Sequence, residues 1–187
     1  MKRVIWWPLS VFLVLAVSVP AWGSYVLHLS LEDLVDRADS VVRARVVDRE
    51  SRLCDEGRQV YTYTTLEVLS SMKGPGRDTV VVRQLGGEVD GIGSLVGGDA
   101  RFEVGEEVVV FLRDNPDGKP FLHMIGLSQG KFRVERSEDQ VLAVRELSDL
   151  SLVRPRDGRL EPVDAPGVST LNLEELEDAI NAAVLGR

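Results

Sequence analysis

One serine motif in the sequence has the spacing of a catalytic nucleophile. Gly126-Leu127-Ser128-Gln129-Gly130 matches the Gly-x-Ser-x-Gly elbow of α/β-hydrolases, in which the serine lies on a sharp turn between a strand and a helix. Residues 131–134 instead alternate polar and apolar side chains as a strand does, and no histidine follows Ser128. The two glycines therefore indicate a bend between strands. A serine hydrolase that uses Ser128 with His123 stays the alternative to our prediction of no catalytic residue.

The remaining reactive side chains predict neither a metal nor a cofactor. The chain has two histidines, His28 and His123, and one cysteine, Cys54, which are too few and too scattered for a three- or four-ligand metal site. Gly91-Ile92-Gly93 lacks the third glycine of a dinucleotide loop, and no Gly-Lys-Ser/Thr follows it. The acids of residues 114–118 do not alternate as calcium ligands do, so this segment is a turn.

Cys54 has no second cysteine with which to form an internal disulfide. Arg52 is the only base close to it in the sequence, and no lysine or histidine lies beside it to lower the pKa of its thiol. We interpret Cys54 as a loop residue, with a reactive thiol or an intermolecular bridge as the alternative.

Two groups of residues are candidates for binding. Residues 86–105, here called the glycine-rich loop, contain seven glycines, and Glu88, Asp90, Ile92 and Leu95 lie among them. A long loop with exposed apolar residues is a candidate binding surface, and the alternative is a connection with no function. The second group is the pair Tyr61 and Tyr63, which share one face of a predicted strand.

The first residues predict export. A short basic start, Met1-Lys2-Arg3, precedes an apolar run over residues 4–19, and small residues follow at Ala21 and Gly23. This is the layout of a signal peptide, for which we expect cleavage after Gly23 or after Ala21; an uncleaved membrane anchor is the alternative. Cleavage after Gly23 removes Lys2 and Arg3 and no acid, which takes the formal net charge from −8 to −10. So acidic a chain is not expected to bind nucleic acid.

Periodicity predicts one mostly β domain between two helices. Ser30-Leu31-Glu32-Asp33 forms a capping box before a short helix, and a second box with Asn172 and Glu175 opens a C-terminal amphipathic helix. Apolar and polar side chains alternate with a period of two, as in a strand, at residues 41–49, 58–69, 79–85, 121–125, 131–135 and 140–145. Residues 108–112 form an unbroken apolar run, which is typical of a strand buried on both faces. We therefore predict a signal peptide (1–23), a β-barrel domain (24–147), a proline-rich linker (148–171) and a terminal helix (172–187).

The order of several short motifs resembles a known family. Residues 31–42 hold a helix that ends in Ala38-Asp39, a strand ends before Met72-Lys73-Gly74, and Phe102-Glu103-Val104-Gly105-Glu106 precedes the buried strand. This order is similar to exported bacterial proteins with a domain of the tissue-inhibitor-of-metalloproteinases or netrin-like type. The resemblance implies an OB-fold, an antiparallel barrel. The animal inhibitors chelate zinc with an N-terminal cysteine, which this chain lacks, so we transfer the fold without that activity.

These observations favour an exported, non-enzymatic binding module of the periplasm or the secreted fraction. We expect a protein partner, with a secreted protease suggested by analogy alone, and no membrane association after signal cleavage. A structural component of the envelope is the other alternative, and the sequence does not predict an oligomeric state.

Overall fold

The computed structural model describes residues 25–54 and 59–186, so the predicted signal peptide and its cleavage sites lie outside the described residues. The elements in chain order are β1 (Tyr25–Leu27), α1 (Leu31–Arg37), β2 (Ser40–Leu53), β3 (Val60–Lys73), β4 (Thr79–Leu85), β5 (Gly87–Val89), β6 (Ile92–Ser94), β7 (Glu107–Asp114), β8 (Leu122–Met124), a 3-10 helix (Leu127–Gly130), β9 (Lys131–Arg136), β10 (Val141–Glu146), β11 (Ser151–Arg156), β12 (Arg159–Pro162), β13 (Val168–Asn172) and α2 (Leu173–Leu185).

Five strands close into a barrel in the order β7-β2-β3-β4-β8, because β8 pairs with both β4 and β7. The β4–β8 pairing is parallel and the other four are antiparallel. Strands β9, β10 and β13 extend the sheet outward from β7. The prediction of a mostly β chain built on an OB-fold-like barrel is confirmed.

Period-two alternation places the barrel core as the sequence predicts. Val42, Ala44 and Val46 of β2 point into the barrel and are buried, and Arg45 points outward. On β3, the small polar Thr62 and Thr64 are buried beside Leu66, which directs Tyr61 and Tyr63 to the outer surface.

Strand β7 is buried on both faces, as its unbroken apolar run predicts. Val108, Val110 and Leu112 join the barrel core, whereas Val109 and Phe111 face a second core that α1 and α2 complete. Ser30 caps α1 in the reciprocal capping box that the sequence predicts. Asn172 caps α2 as predicted, but its side chain accepts the amide of Glu174 and does not form the expected box with Glu175. The apolar stripe of α2 packs onto this same domain through Leu173, Leu176 and Ile180.

Residues 148–171, where proline content predicts a linker, instead contain β11, β12 and most of β13. Strand β11 pairs with β1 on one side and β12 on the other, and its Leu152 and Val153 are buried. Pro155 fits in this strand because the pairing with β1 ends at Val153, so its missing N–H leaves no ladder bond unmade on that side.

The glycine-rich loop is more ordered than its composition suggests. Its first part is the β5–β6 hairpin, and its second part places Ala100 and Phe102 in the barrel core. These two residues, of which Phe102 is only 3 % exposed, therefore belong to the core and not to the exposed surface that the sequence predicts for the loop.

Within residues 25–54 and 59–186, no helix is both long enough and apolar enough to cross a membrane.

Candidate functional site

The outer surface of the barrel carries a cluster of aromatic rings around one arginine. We call it the aromatic face; its members are Tyr61 and Tyr63 of β3, Arg83 of β4, Phe121 just before β8, and His123 of β8. Phe121 is only 8 % exposed, whereas the other four side chains are half-buried. Arg83 lies directly opposite Tyr63 in the β3–β4 register, and Leu85 lies opposite Tyr61. Arg83 is therefore the diagonal neighbour of Tyr61, at a separation that a long side chain can bridge.

Arg83 is held between two rings. Its guanidinium carbon is 4.6 Å from the centroid of Tyr61 and 4.0 Å from that of Phe121. Both distances are within the range of a cation–π contact, so two rings hold the side chain of Arg83 in place. Among the described residues, Arg83 is the only cation that contacts two aromatic rings.

Edge contacts between rings complete the face. Phe121 meets Tyr63 edge-to-face at 6.0 Å between ring centroids and His123 at 5.5 Å. Arg52 lies 5.3 Å above the ring of Tyr63 and also pairs with Glu50. Because aromatic pairs of this geometry are attractive, the cluster is ordered before any ligand arrives.

The positive charge of Arg83 contributes to a lowered pKa of His123. Burial, followed by the positive charge of Arg83, lowers the pKa of His123 below its usual value, against smaller opposing effects of the Arg83 backbone and Asp117. His123 is therefore neutral at pH 7, and Arg83 is the principal charge at the centre of the face.

The predicted loop residues lie near the aromatic face without joining it. Glu88 and Asp90 are exposed on and after β5, and Leu95 is 83 % exposed after β6. The side chain of Ile92 lies outside the described part of the structure. The amide of Gly86 donates to the carbonyl of Val60, which anchors the hairpin beside the start of β3. No hydrogen bond or ring contact among the described residues links Glu88, Asp90 or Leu95 to either tyrosine.

This loop borders a cleft of about 560 Å³. Its walls come from β2, β3 and the loop, including Arg49, Glu88 and Leu95. At the base, the Thr62 hydroxyl lies 3.0 Å from the Ser51 hydroxyl and donates to the carbonyl of Gly86 at 2.8 Å. A side chain at residue 87 would overlap both hydroxyls, so only glycine allows this close packing.

A second cleft, of about 480 Å³, contains Ser128 and Lys131. The Lys131 ammonium is 2.7 Å from a Glu106 carboxylate oxygen and also donates to the carbonyl of Arg101. Burial lowers the pKa of Lys131 in spite of its contact with Glu106. The hydroxyl of Ser128 is buried and makes no hydrogen bond within the described residues. Ser128 therefore does not form the hydrogen bond to a base that activates a serine nucleophile, either with Lys131 or with His123.

The local structure around Ser128 also differs from a nucleophile elbow. Ser128 lies in the short 3-10 helix, which leads into β9 and not into an α-helix. Gly126 has φ of +69°, and a Cβ there would lie 2.8 Å from a methyl carbon of Leu29. The two glycines of the motif thus permit a tight bend between β8 and β9, as the sequence indicates. Cys54 directly follows β2 and donates its backbone amide to the carbonyl of Gln59.

Sequence reasoning identifies the two tyrosines of the aromatic face and misses its other members. The alternation of Val80 and Val82 with Arg83 is sufficient to place Arg83 on the outer surface of its strand. Only the strand register and the parallel β4–β8 pairing bring Phe121 to it.

No protein-family model matches this chain, and a search of curated proteins found no similar protein. Among the described residues, no group of three His, Cys, Asp or Glu side chains is placed to hold a metal ion.

Proposed function

We propose that this chain is an exported, non-enzymatic binding module that contacts a protein partner through its aromatic face. The observation that carries the proposal is the cluster of Tyr61, Tyr63, Phe121 and Arg83 on one surface of the barrel. Tyrosine and arginine are enriched in protein interfaces, and they provide much of the binding energy there.

The position of the face in the fold supports the same conclusion. Strands β3 and β4 are the second and third strands of the barrel, and OB-folds use this surface to bind their ligands. Because one fold serves many unrelated functions, this likeness supports the location of the site and not the identity of the ligand. The glycine-rich loop follows β4 and is the second part of the proposed interface, with Glu88, Asp90 and Leu95 exposed at its edge.

A secreted protease is the partner class that the resemblance to metalloproteinase inhibitors suggests. This chain lacks the cysteine through which the animal inhibitors bind zinc, so binding would occur through the face of the barrel. The hydrolase alternative lacks the hydrogen bond from Ser128 to a base that it requires.

Site-specific photo-cross-linking in the native host tests the proposal. A benzophenone amino acid replaces Tyr61 in one strain, Leu95 in a second, and Leu160 of β12 in a third as the exposed control. We expect the same covalent adduct from residue 61 and, at lower yield, from residue 95, and none from residue 160. Excess purified chain should suppress the adduct, whereas excess chain carrying Tyr61→Ala and Tyr63→Ala should not.

Adducts of equal yield from all three positions, or none at all from residue 61, would contradict the proposal. A parallel measurement addresses the hydrolase alternative: Ser128→Ala should leave the partner adduct unchanged. Turnover of short acyl esters that depends on Ser128 would overturn the non-enzymatic assignment.

A further inference from the structure

We propose that Arg83 is the anchor of the aromatic face and that it binds a carboxylate from an acidic segment of the partner protein. This inference rests on the proposed function, to which it adds the chemistry of the ligand. It follows from the position of one side chain, which two rings contact and which donates no side-chain hydrogen bond within residues 25–54 and 59–186.

The guanidinium of Arg83 contacts two rings but forms no ion pair with another described residue. Its contacts with Tyr61 and Phe121, at 4.6 and 4.0 Å from the guanidinium carbon to the ring centroids, are cation–π contacts and not hydrogen bonds to an oxygen acceptor. Among the described residues, no carboxylate or carbonyl accepts a hydrogen bond from its side chain. Arg52, by comparison, is paired with Glu50, and Arg136 is paired with Glu107.

An arginine side chain that is held in place by rings is suited to bind a planar oxyanion. A guanidinium has five N–H donors in a fixed fork, which matches the two oxygens of a carboxylate in a bidentate pair. Because the rings already hold the side chain, little rotamer entropy remains to be lost when the pair forms. The half-buried position of Arg83 leaves its edge within reach of a ligand and reduces screening by solvent.

The charge of the whole chain favours a carboxylate on a protein over a polyanion. The formal net charge of −8 repels a nucleic acid along its whole length. A single Asp or Glu beside apolar residues experiences mainly the local field, because charges more than about 8 Å away are screened at physiological ionic strength. Apolar neighbours of that residue would cover Tyr61 and Tyr63, which flank Arg83 on β3.

The test uses the mature chain with two blocked peptides, acetyl-Leu-Glu-Leu-amide and acetyl-Leu-Gln-Leu-amide, which differ only in the charged group. Proton NMR follows the ring signals of the two histidines as each peptide is added. Because the charge of Arg83 contributes to the lowered pKa of His123, a carboxylate bound to Arg83 should raise that pKa toward its usual value. His28 is the internal control: burial, followed by the charges of Arg145 and Arg154, lowers its pKa against a smaller effect of Asp33, and none of these groups belongs to the aromatic face.

We expect the glutamate peptide to raise the pKa of His123 and to leave His28 unchanged. The glutamine peptide should bind roughly tenfold more weakly or worse, as the loss of a charge-assisted hydrogen bond predicts. Arg83→Gln should abolish the response. Arg83→Lys should weaken it, because an ammonium keeps the charge but has neither the fork nor the planar stacking. The matched control is Arg159→Gln on the exposed strand β12, which should respond as the wild type does.

Equal binding of the two peptides, or an unchanged response in folded Arg83→Gln, would overturn the carboxylate anchor. A response to inorganic phosphate without one to the glutamate peptide would overturn it as well, in favour of a phosphate ligand. The cross-link from residue 61 separates this inference from the proposed function. If Arg83→Gln still forms the partner adduct at full yield, the binding face stands and Arg83 is not its anchor; if residue 61 forms no adduct in the wild type, the proposed function itself fails.

Discussion

Replacing Phe111 with alanine should destabilise the protein far more than replacing an exposed apolar residue of the glycine-rich loop. Phe111 lies on β7 and, with Phe132, is one of the two largest of the completely buried side chains among the described residues. Its ring contacts Phe132 at 6.1 Å between centroids and belongs to the core that α1 and α2 cover.

The expected loss in the free energy of unfolding is about 3–5 kcal/mol. This range combines the lost burial of the ring with the cavity that it leaves, which a strand paired on both sides cannot collapse to fill. The loss of the aromatic pair with Phe132 places the value toward the upper end, since such a pair contributes about 0.5–1.5 kcal/mol beyond burial. The control is Leu95→Ser, where an exposed side chain should cost no more than about 0.5 kcal/mol.

Equilibrium unfolding in urea measures both variants. With a slope of about 2 kcal/mol per molar urea, Phe111→Ala should lower the midpoint by roughly 1.5–2.5 M, and Leu95→Ser by about 0.25 M or less. A loss for Leu95→Ser as large as that for Phe111→Ala would show that Leu95 belongs to a core, and a loss below about 1.5 kcal/mol for Phe111→Ala would refute the two-sided burial of β7.

Three further changes test other parts of the structure. Burial favours a raised pKa for Glu107, but hydrogen bonds from Arg136 and Arg43 outweigh it and hold the pKa below the usual range. Glu107→Gln should therefore lower the free energy of unfolding at pH 7 by up to about 3 kcal/mol. The difference in stability between the wild type and the variant should shrink as the pH falls from about 4.3, the pKa of an unperturbed Glu, through the lowered pKa of Glu107 in the folded state. Thermal melts over this pH range measure it. Gly130→Ala should lower the free energy of unfolding by about 1–3 kcal/mol in urea melts, because its Cβ would overlap the carbonyl oxygen of Ile125. Gly97→Ala is the control: Gly97 has open space around it and no positive φ, so this change should be neutral or slightly stabilising. Ser30→Ala should cost about 1 kcal/mol by removing the cap of α1, and Ser30→Asp should restore most of it; equal melting of the alanine variant and the wild type would argue against the cap.

The sequence alone determines the parts of this fold that depend on near neighbours. Alternation along β2, β3 and β4 identifies which side chains enter the barrel, and for Tyr61 and Tyr63 it identifies the surface on which they lie. The double burial of β7 and the caps at Ser30 and Asn172 are equally local, since each follows from residues within one strand or one helical turn. The exposure of Glu88, Asp90 and Leu95 also agrees with the polar and glycine-rich composition around them.

Only the tertiary structure decides which of these surfaces come together. Proline content predicts a linker over residues 148–171, yet β11 forms there because β1, far away in the chain, supplies a partner and Pro155 falls just past the paired stretch. Phe102 enters the barrel from a loop that has no periodicity of its own. Arg83 and Phe121 join Tyr61 through the register of β3 with β4 and the parallel pairing of β4 with β8. Side-chain alternation is a property of one strand, whereas register is a property of two strands and depends on contacts that no local pattern encodes.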